Sequence, residues 1–211
     1  MKILPTFLHT LLVLVGLLAA ADNAKAQLLL TNGNFQDLTG LTAQPGSPGW
    51  YQGVPAGWSS STANLNFNVI DYSSGNLGAN LQTLGPSSPS FTPLYQSAGL
   101  VPSTGNVTLS FNILGFSGTY GMAAAIYNAT PGGSPMTTWT LLTSATYDET
   151  SGSFQTLVAP NITANTPIGV AFWQFSGSPG IDNVTVVPEP STSLLLLGAT
   201  ALGLLIRKRR R

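Results

Sequence analysis

The chain has 211 residues, 7% of them charged, no cysteine and a formal net charge of +0 at pH 7. All seven basic residues lie in the first 25 or the last five positions, so residues 27–187 hold no Lys, Arg or His against five acids (Asp37, Asp71, Asp148, Glu149 and Asp182), a net charge of −5. This excludes nucleic-acid binding, which needs cations to displace counterions from phosphates, phosphate handling by Lys or Arg clamps, and internal salt bridges.

In chain order, Met1-Lys2, an apolar run from Leu11 to Ala21 and Ala24-Lys25-Ala26 form a basic n-region, an apolar h-region and an A-x-A site. That is a secretory signal, residues 1–26, handled by the Sec translocon and signal peptidase, with cleavage after Ala26 leaving Gln27 first. The absence of cysteine says only that the exported domain uses no disulfides.

Residues 27–187 are long enough for one domain with a real core. Twenty of these 161 residues are Gly and twelve are Pro, and no apolar 3.6-residue period stands out. Short β-rich runs bounded by turn residues recur instead, which predicts an all-β sandwich or barrel. The predicted strands are Leu28–Leu30, Leu65–Ile70, Asn80–Leu84, Leu94–Ser97, Val107–Leu114, Tyr120–Tyr127, Trp139–Tyr147, Phe154–Val158, Ile168–Phe175 and Asn183–Val187. Val107, Leu109, Phe111 and Ile113 alternate with polar partners, the mark of a half-buried strand. Ile168–Phe175 is nearly all apolar and predicts a central strand covered on both faces. Residues 40–62 and 129–138 read as loops rich in Gly, Pro, Ser and Thr.

Several segments of this region resemble galactose-binding-like jelly-roll domains, which include many carbohydrate-binding modules. The carriers are Asn32-Gly33-Asn34-Phe35 followed by Pro55-Ala56-Gly57-Trp58, then Leu94-Tyr95-Gln96 with Asn106–Phe111, and the closing Ile181-Asp182-Asn183-Val184-Thr185-Val186. The resemblance implies a jelly-roll β-sandwich. It also implies a structural calcium near Asp182 and the backbone around Asn34, with Gln36 standing where related modules often carry Glu. Calcium needs only oxygen ligands.

The tail resembles a PEP-CTERM sorting signal, spanning residues 188–211. Its three parts are Pro188-Glu189-Pro190, an apolar run Leu194–Ile206 and the basic cluster Arg207, Lys208, Arg209, Arg210 and Arg211. The prolines keep the tripeptide extended, and Ser191 or Thr192 can cap a following helix. Sixteen residues at about 1.5 Å rise give roughly 24 Å, a short span for the bilayer. The arginines stay cytoplasmic, which puts the domain outside the inner membrane. The resemblance implies a Gram-negative host, an exosortase partner, an inner-membrane-anchored precursor and delivery to the cell surface or an exopolysaccharide and biofilm matrix.

Residues 27–187 hold no Cys, His or Lys to activate a serine, and zinc needs Cys or His. A glycosidase needs two carboxylates across a cleft. The adjacent Asp148 and Glu149 lie in the segment YDETSGS, read as a solvated turn. The expectation is therefore a non-enzyme with a structural or adhesive role. The alternatives are a carbohydrate-binding module with a defined glycan and a carboxylate-dependent glycoside hydrolase. Exposed aromatic faces are what a sugar needs. Trp50 and Tyr51, in the Gly/Pro loop, are the candidate glycan contacts, whereas Trp58 and Trp173 are read as core.

Overall fold

In this computed structural model the described residues are 30–60, 68–72, 75–81, 93–116 and 118–190. The expected signal segment, 1–26, and the apolar run with its basic cluster, from Ser191 on, lie outside them. Two antiparallel sheets stack face to face. The strands are β1 (Thr42–Ala43), β2 (Trp50–Gln52), β3 (Ser59–Ser60), β4 (Asn68–Asp71), β5 (Leu77–Asn80), β6 (Leu94–Leu100), β7 (Gly105–Leu114), β8 (Thr119–Asn128), β9 (Thr140–Thr150), β10 (Phe154–Ile162), β11 (Pro167–Ser176) and β12 (Gly180–Pro190). One sheet runs β1-β2-β4-β5-β12-β7-β10 and the other β3-β6-β11-β8-β9.

The alternation read in residues 107–113 is the burial pattern of β7, with Val107, Leu109, Phe111 and Ile113 fully buried. A period of two puts all four on one face, and that face meets the other sheet. Phe111 on β7 packs edge-on against Phe172 on β11, with ring centroids 5.1 Å apart, and Phe172 meets Trp58 at 6.1 Å. Strand β11 lies between β6 and β8, as its apolar run predicts.

Three expectations change. The stretch 40–62 is not one loop: it contains β1, β2 and β3, each only two or three residues long. Strands that short carry too little alternation to read among Gly and Pro. Leu30 is outside any strand. Asp148 and Glu149 are not in a turn but in β9, opposite Gly121 and Tyr120 of β8. The turn comes later, at Ser151 and Gly152.

Two register shifts are carried by asparagines with positive φ: Asn161 (φ 56) in β10 and Asn183 (φ 51) in β12. Asn tolerates the left-handed region better than other non-glycine residues, and such a bulge re-aims the strand. At Asn183 it lets the Val184 N–H donate to the Gly33 carbonyl at 2.9 Å. The closing strand thereby ties the N-terminal segment to the sheet.

Candidate functional site

The segments that carry the family resemblance meet at one place. Gln96 on β6 is buried, at 6% exposure. Its Oε1 accepts from the Thr31 N–H at 2.6 Å, and its Nε2 donates to the Thr31 carbonyl at 3.0 Å and the Gly57 carbonyl at 2.6 Å. The Trp58 indole N–H donates to the Asn32 carbonyl at 3.2 Å, and the Phe35 and Trp58 rings lie 5.3 Å apart. The Asn32 side chain brackets its own loop, donating to the Asp37 carbonyl and accepting the Asp37 N–H. These groups satisfy one another, so the shared motifs form a lock for an irregular segment whose backbone polar groups need partners. Trp58 is core, as read from the sequence.

The outer face of the five-stranded sheet is different. Along β11 the core takes Val170 and Phe172, so Gly169, Ala171 and Trp173 face outward. Beside them stand Tyr95 from β6, Ala125 and Tyr127 from β8, and Trp139, which precedes β9. Trp139 meets Tyr95 edge-on at 5.4 Å and Tyr127 at 5.9 Å, and Tyr127 meets Trp173 at 6.2 Å. Trp173 thus leaves the core role expected of it, because strand periodicity turns it away from Phe172. The Trp139 indole donates to the Thr130 carbonyl at 3.1 Å and lies over Gly169, where an added Cβ would come within 2.2 Å of the ring. An adjoining groove of about 510 Å³ is lined by Tyr95, Trp139, Leu100 and Pro167 together with Ser59, Ser97 and Thr130. Burial raises the Tyr127 phenol above its ordinary value.

Trp50 and Tyr51, the candidate glycan contacts, are separated by the pleat of β2. Tyr51 packs against the core. Trp50 points to the other face, where its ring is parallel to that of Phe116, 6.3 Å away, and Phe116 meets Tyr72 at 5.0 Å. This second aromatic group, on the seven-stranded sheet, has Phe116 60% exposed.

Asp182 is 2% exposed, and its Oδ1 has no hydrogen-bond partner. Oδ2 accepts from the Asn183 side chain at 2.8 Å. Burial pushes its pKa above the ordinary carboxylate value. The neighbouring cleft, about 280 Å³, is lined by Leu30, Asn32–Asn34 and Asn183–Thr185. The Asn34 oxygens accept from Gln36, main chain to side chain at 3.4 Å and side chain to main chain at 3.2 Å, and the Gly33 carbonyl accepts from Val184. Among the described residues no group of three His, Cys, Asp or Glu side chains converges. Calcium takes roughly six to eight oxygens. One carboxylate, its Oδ1 unpartnered and its Oδ2 bonded by Asn183, beside main-chain carbonyls that already accept N–H groups, falls short of that number. Gln36 is the decisive departure, because it supplies an N–H to a carbonyl that a cation would use.

Successive side chains of a strand point to opposite faces, so Asp148 and Glu149 do not flank a common bond. Glu149 also accepts from the Ser153 hydroxyl at 3.4 Å.

The tripeptide Pro188-Glu189-Pro190 continues β12, opposite Val107, Asn106 and Gly105 of β7. Pro188 is buried and Glu189 exposed. The Glu189 carboxylate accepts from the Thr108 hydroxyl at 2.9 Å.

Among curated proteins none matches the chain. Similar solved structures include a CBM4 module, with 18% identity and a TM-score of 0.45, covering 76% of this chain and 100% of that one. The CBM22-1 xylan-binding domain from Paenibacillus barcinonensis Xyn10C has 11% identity and a TM-score of 0.41, covering 78% and 96%. CBM35 from Paenibacillus barcinonensis has 15% identity and a TM-score of 0.41, covering 66% and 98%. The PEP-CTERM protein-sorting motif matches residues 186–211, so a two-sheet antiparallel β-sandwich is joined, through the end of its own last strand, to a C-terminal PEP-CTERM signal.

Proposed function

We infer that the domain is a non-catalytic cell-surface or matrix component that holds a polysaccharide chain in the groove beside Tyr95 and Trp139. It is exported by its N-terminal signal and processed at its tail by an exosortase. The carrying observation is the outer face of the five-stranded sheet: aromatic rings over a floor of Gly169, Ala125 and Ala171, bordered by hydroxyls. Sugar rings present flat C–H faces that pack on aromatics, and their hydroxyls need polar partners at the rim. A hydrolase is disfavoured, because the adjacent carboxylates Asp148 and Glu149 diverge.

The test is retention of the domain, residues 27–190, on a panel of insoluble and gel-borne polysaccharides. Wild type is expected to be retained on at least one neutral polysaccharide. Trp139→Ala and Tyr95→Ala are expected to weaken retention at least tenfold with the fold intact by circular dichroism. Trp50→Ala is expected to leave it unchanged. Silence of the wild type across the panel, or equal retention of all variants, removes the groove from the account.

A further inference from the structure

We propose that the sorting tripeptide is folded into the domain in a latent form, and that residues 187–190 must peel off β7 before the sorting enzyme can take them. The inference rests on the exosortase reading above and adds a condition to it.

Three observations carry it. First, β12 stays in register with β7 through Pro190, which pairs with Gly105. A peptide taken by an enzyme as an extended segment needs its backbone groups free for that enzyme, and here one edge is already occupied. Second, the side chains are engaged: Pro188 is buried, and the Glu189 carboxylate accepts from Thr108. Third, only Ser191, Thr192 and Ser193 separate the strand end from the apolar run beginning at Leu194. Fully extended, three residues reach at most about 10 Å. A membrane-embedded enzyme would therefore meet the folded domain at the bilayer surface. Freeing four more residues adds about 13 Å.

The paired segment is held more lightly than the start of the strand. Among the described residues, pairing with β5 covers Gly180 and Ile181 alone, and the stretch opposite residues 105–110 has its ladder partner only in β7. Prolines at alternate positions suit a strand when their missing N–H groups face away from the partner, and they keep that outer edge from templating another chain. Val186 is fully buried and Val187 only partly. That is the alternation of the strand, because Pro188, opposite the fully buried Val107, is buried again, so peeling residues 187–190 must draw Pro188 out of the core.

A disulfide across Thr108 and Val187, which face each other in the register, tests this in the full chain. Directly opposed strand residues fall within disulfide range, and the chain has no other cysteine to mispair. In cells carrying the sorting machinery, T108C/V187C is expected to be processed at least tenfold more slowly than either single variant, read by the intact mass of the product. Reductant is expected to restore the rate. A four-residue Gly/Ser insertion between Val187 and Pro188 is expected to restore it with the disulfide closed. Processing of the stapled chain at the wild-type rate, or failure of the insertion to rescue it, overturns the latch. Normal processing of a Pro188→Ala, Glu189→Ala, Pro190→Ala chain instead overturns the exosortase reading.

Discussion

Gln96, Gly169 and Asp182 each hold a position that one atom decides. Gln96 answers three backbone groups of the N-terminal segment with one amide. Replacing it by Ala leaves them buried without partners, at about 1–3 kcal/mol each for those that water cannot reach. Gln96→Ala is expected to lower the thermal midpoint by at least about 4 °C in calorimetry. Gly169→Ala is the subtler case: its methyl would collide with the Trp139 ring. It is expected to displace the indole and reduce polysaccharide retention while leaving the core side of β11 untouched. At Asp182 the folded-state pKa is raised, so the native protein binds the proton more tightly than the unfolded chain. Its contribution to stability is therefore fully present below the unfolded pKa and is lost as pH rises through the folded pKa. Asp182→Asn is expected to raise the midpoint by about 2–4 °C at pH 7, with the gain shrinking towards pH 4. A chelator such as EDTA is expected to leave the wild-type midpoint unchanged. A large drop would restore the calcium reading.

At the scale of elements, β7 was legible and β2 was not. Nine residues of strict alternation, Gly105 to Ile113, leave one assignment for β7, whereas Trp50–Gln52 is a strand only because β1 and β4 lie alongside it. Asp148 and Glu149 were misread for the same reason. Polar residues near a Gly-Ser turn look like the turn, yet pairing with β8 continues through Thr150. Strand β12 runs through Pro188 and Pro190, residues that sequence rules keep out of central strands. They are accommodated because, among the described residues, β5 pairs only with Gly180 and Ile181 and leaves their other edge without a ladder partner. A chain ending at Val187 is expected to melt a few degrees below one ending at Pro190. The loss combines the Pro188 burial with the Glu189–Thr108 hydrogen bond, together on the order of 1–2 kcal/mol.

For the whole molecule, charge is the governing property. With no cation between residues 27 and 187, the fold has no ion pairs there for salt to screen. Polysaccharide retention by aromatic stacking is expected to survive 0.5 M salt, about 3–4 times a physiological level. The net charge of −5 is expected to disfavour anionic polysaccharides at low salt and to favour neutral ones. Retention that collapses with salt would point to electrostatic contacts and away from the aromatic face.

The fold class, the exported character and the sorting motif are properties of local sequence: period-two alternation, an apolar run behind a basic start, and Pro-Glu-Pro before an apolar stretch. Each needs only neighbours along the chain, so each could be read without a structure. The aromatic outer face could not. Tyr95, Tyr127, Trp139 and Trp173 come from four separate segments, and only the pairing of β6, β11 and β8 makes them one surface. Its signal was present in Gly169, Ala171 and Trp173 alternating against Val170 and Phe172, but a run apolar on both faces hides which face is inside. Whether the sorting tripeptide was free or paired also depended on where β7 lies, because backbone hydrogen bonds in a sheet are made between segments distant in sequence.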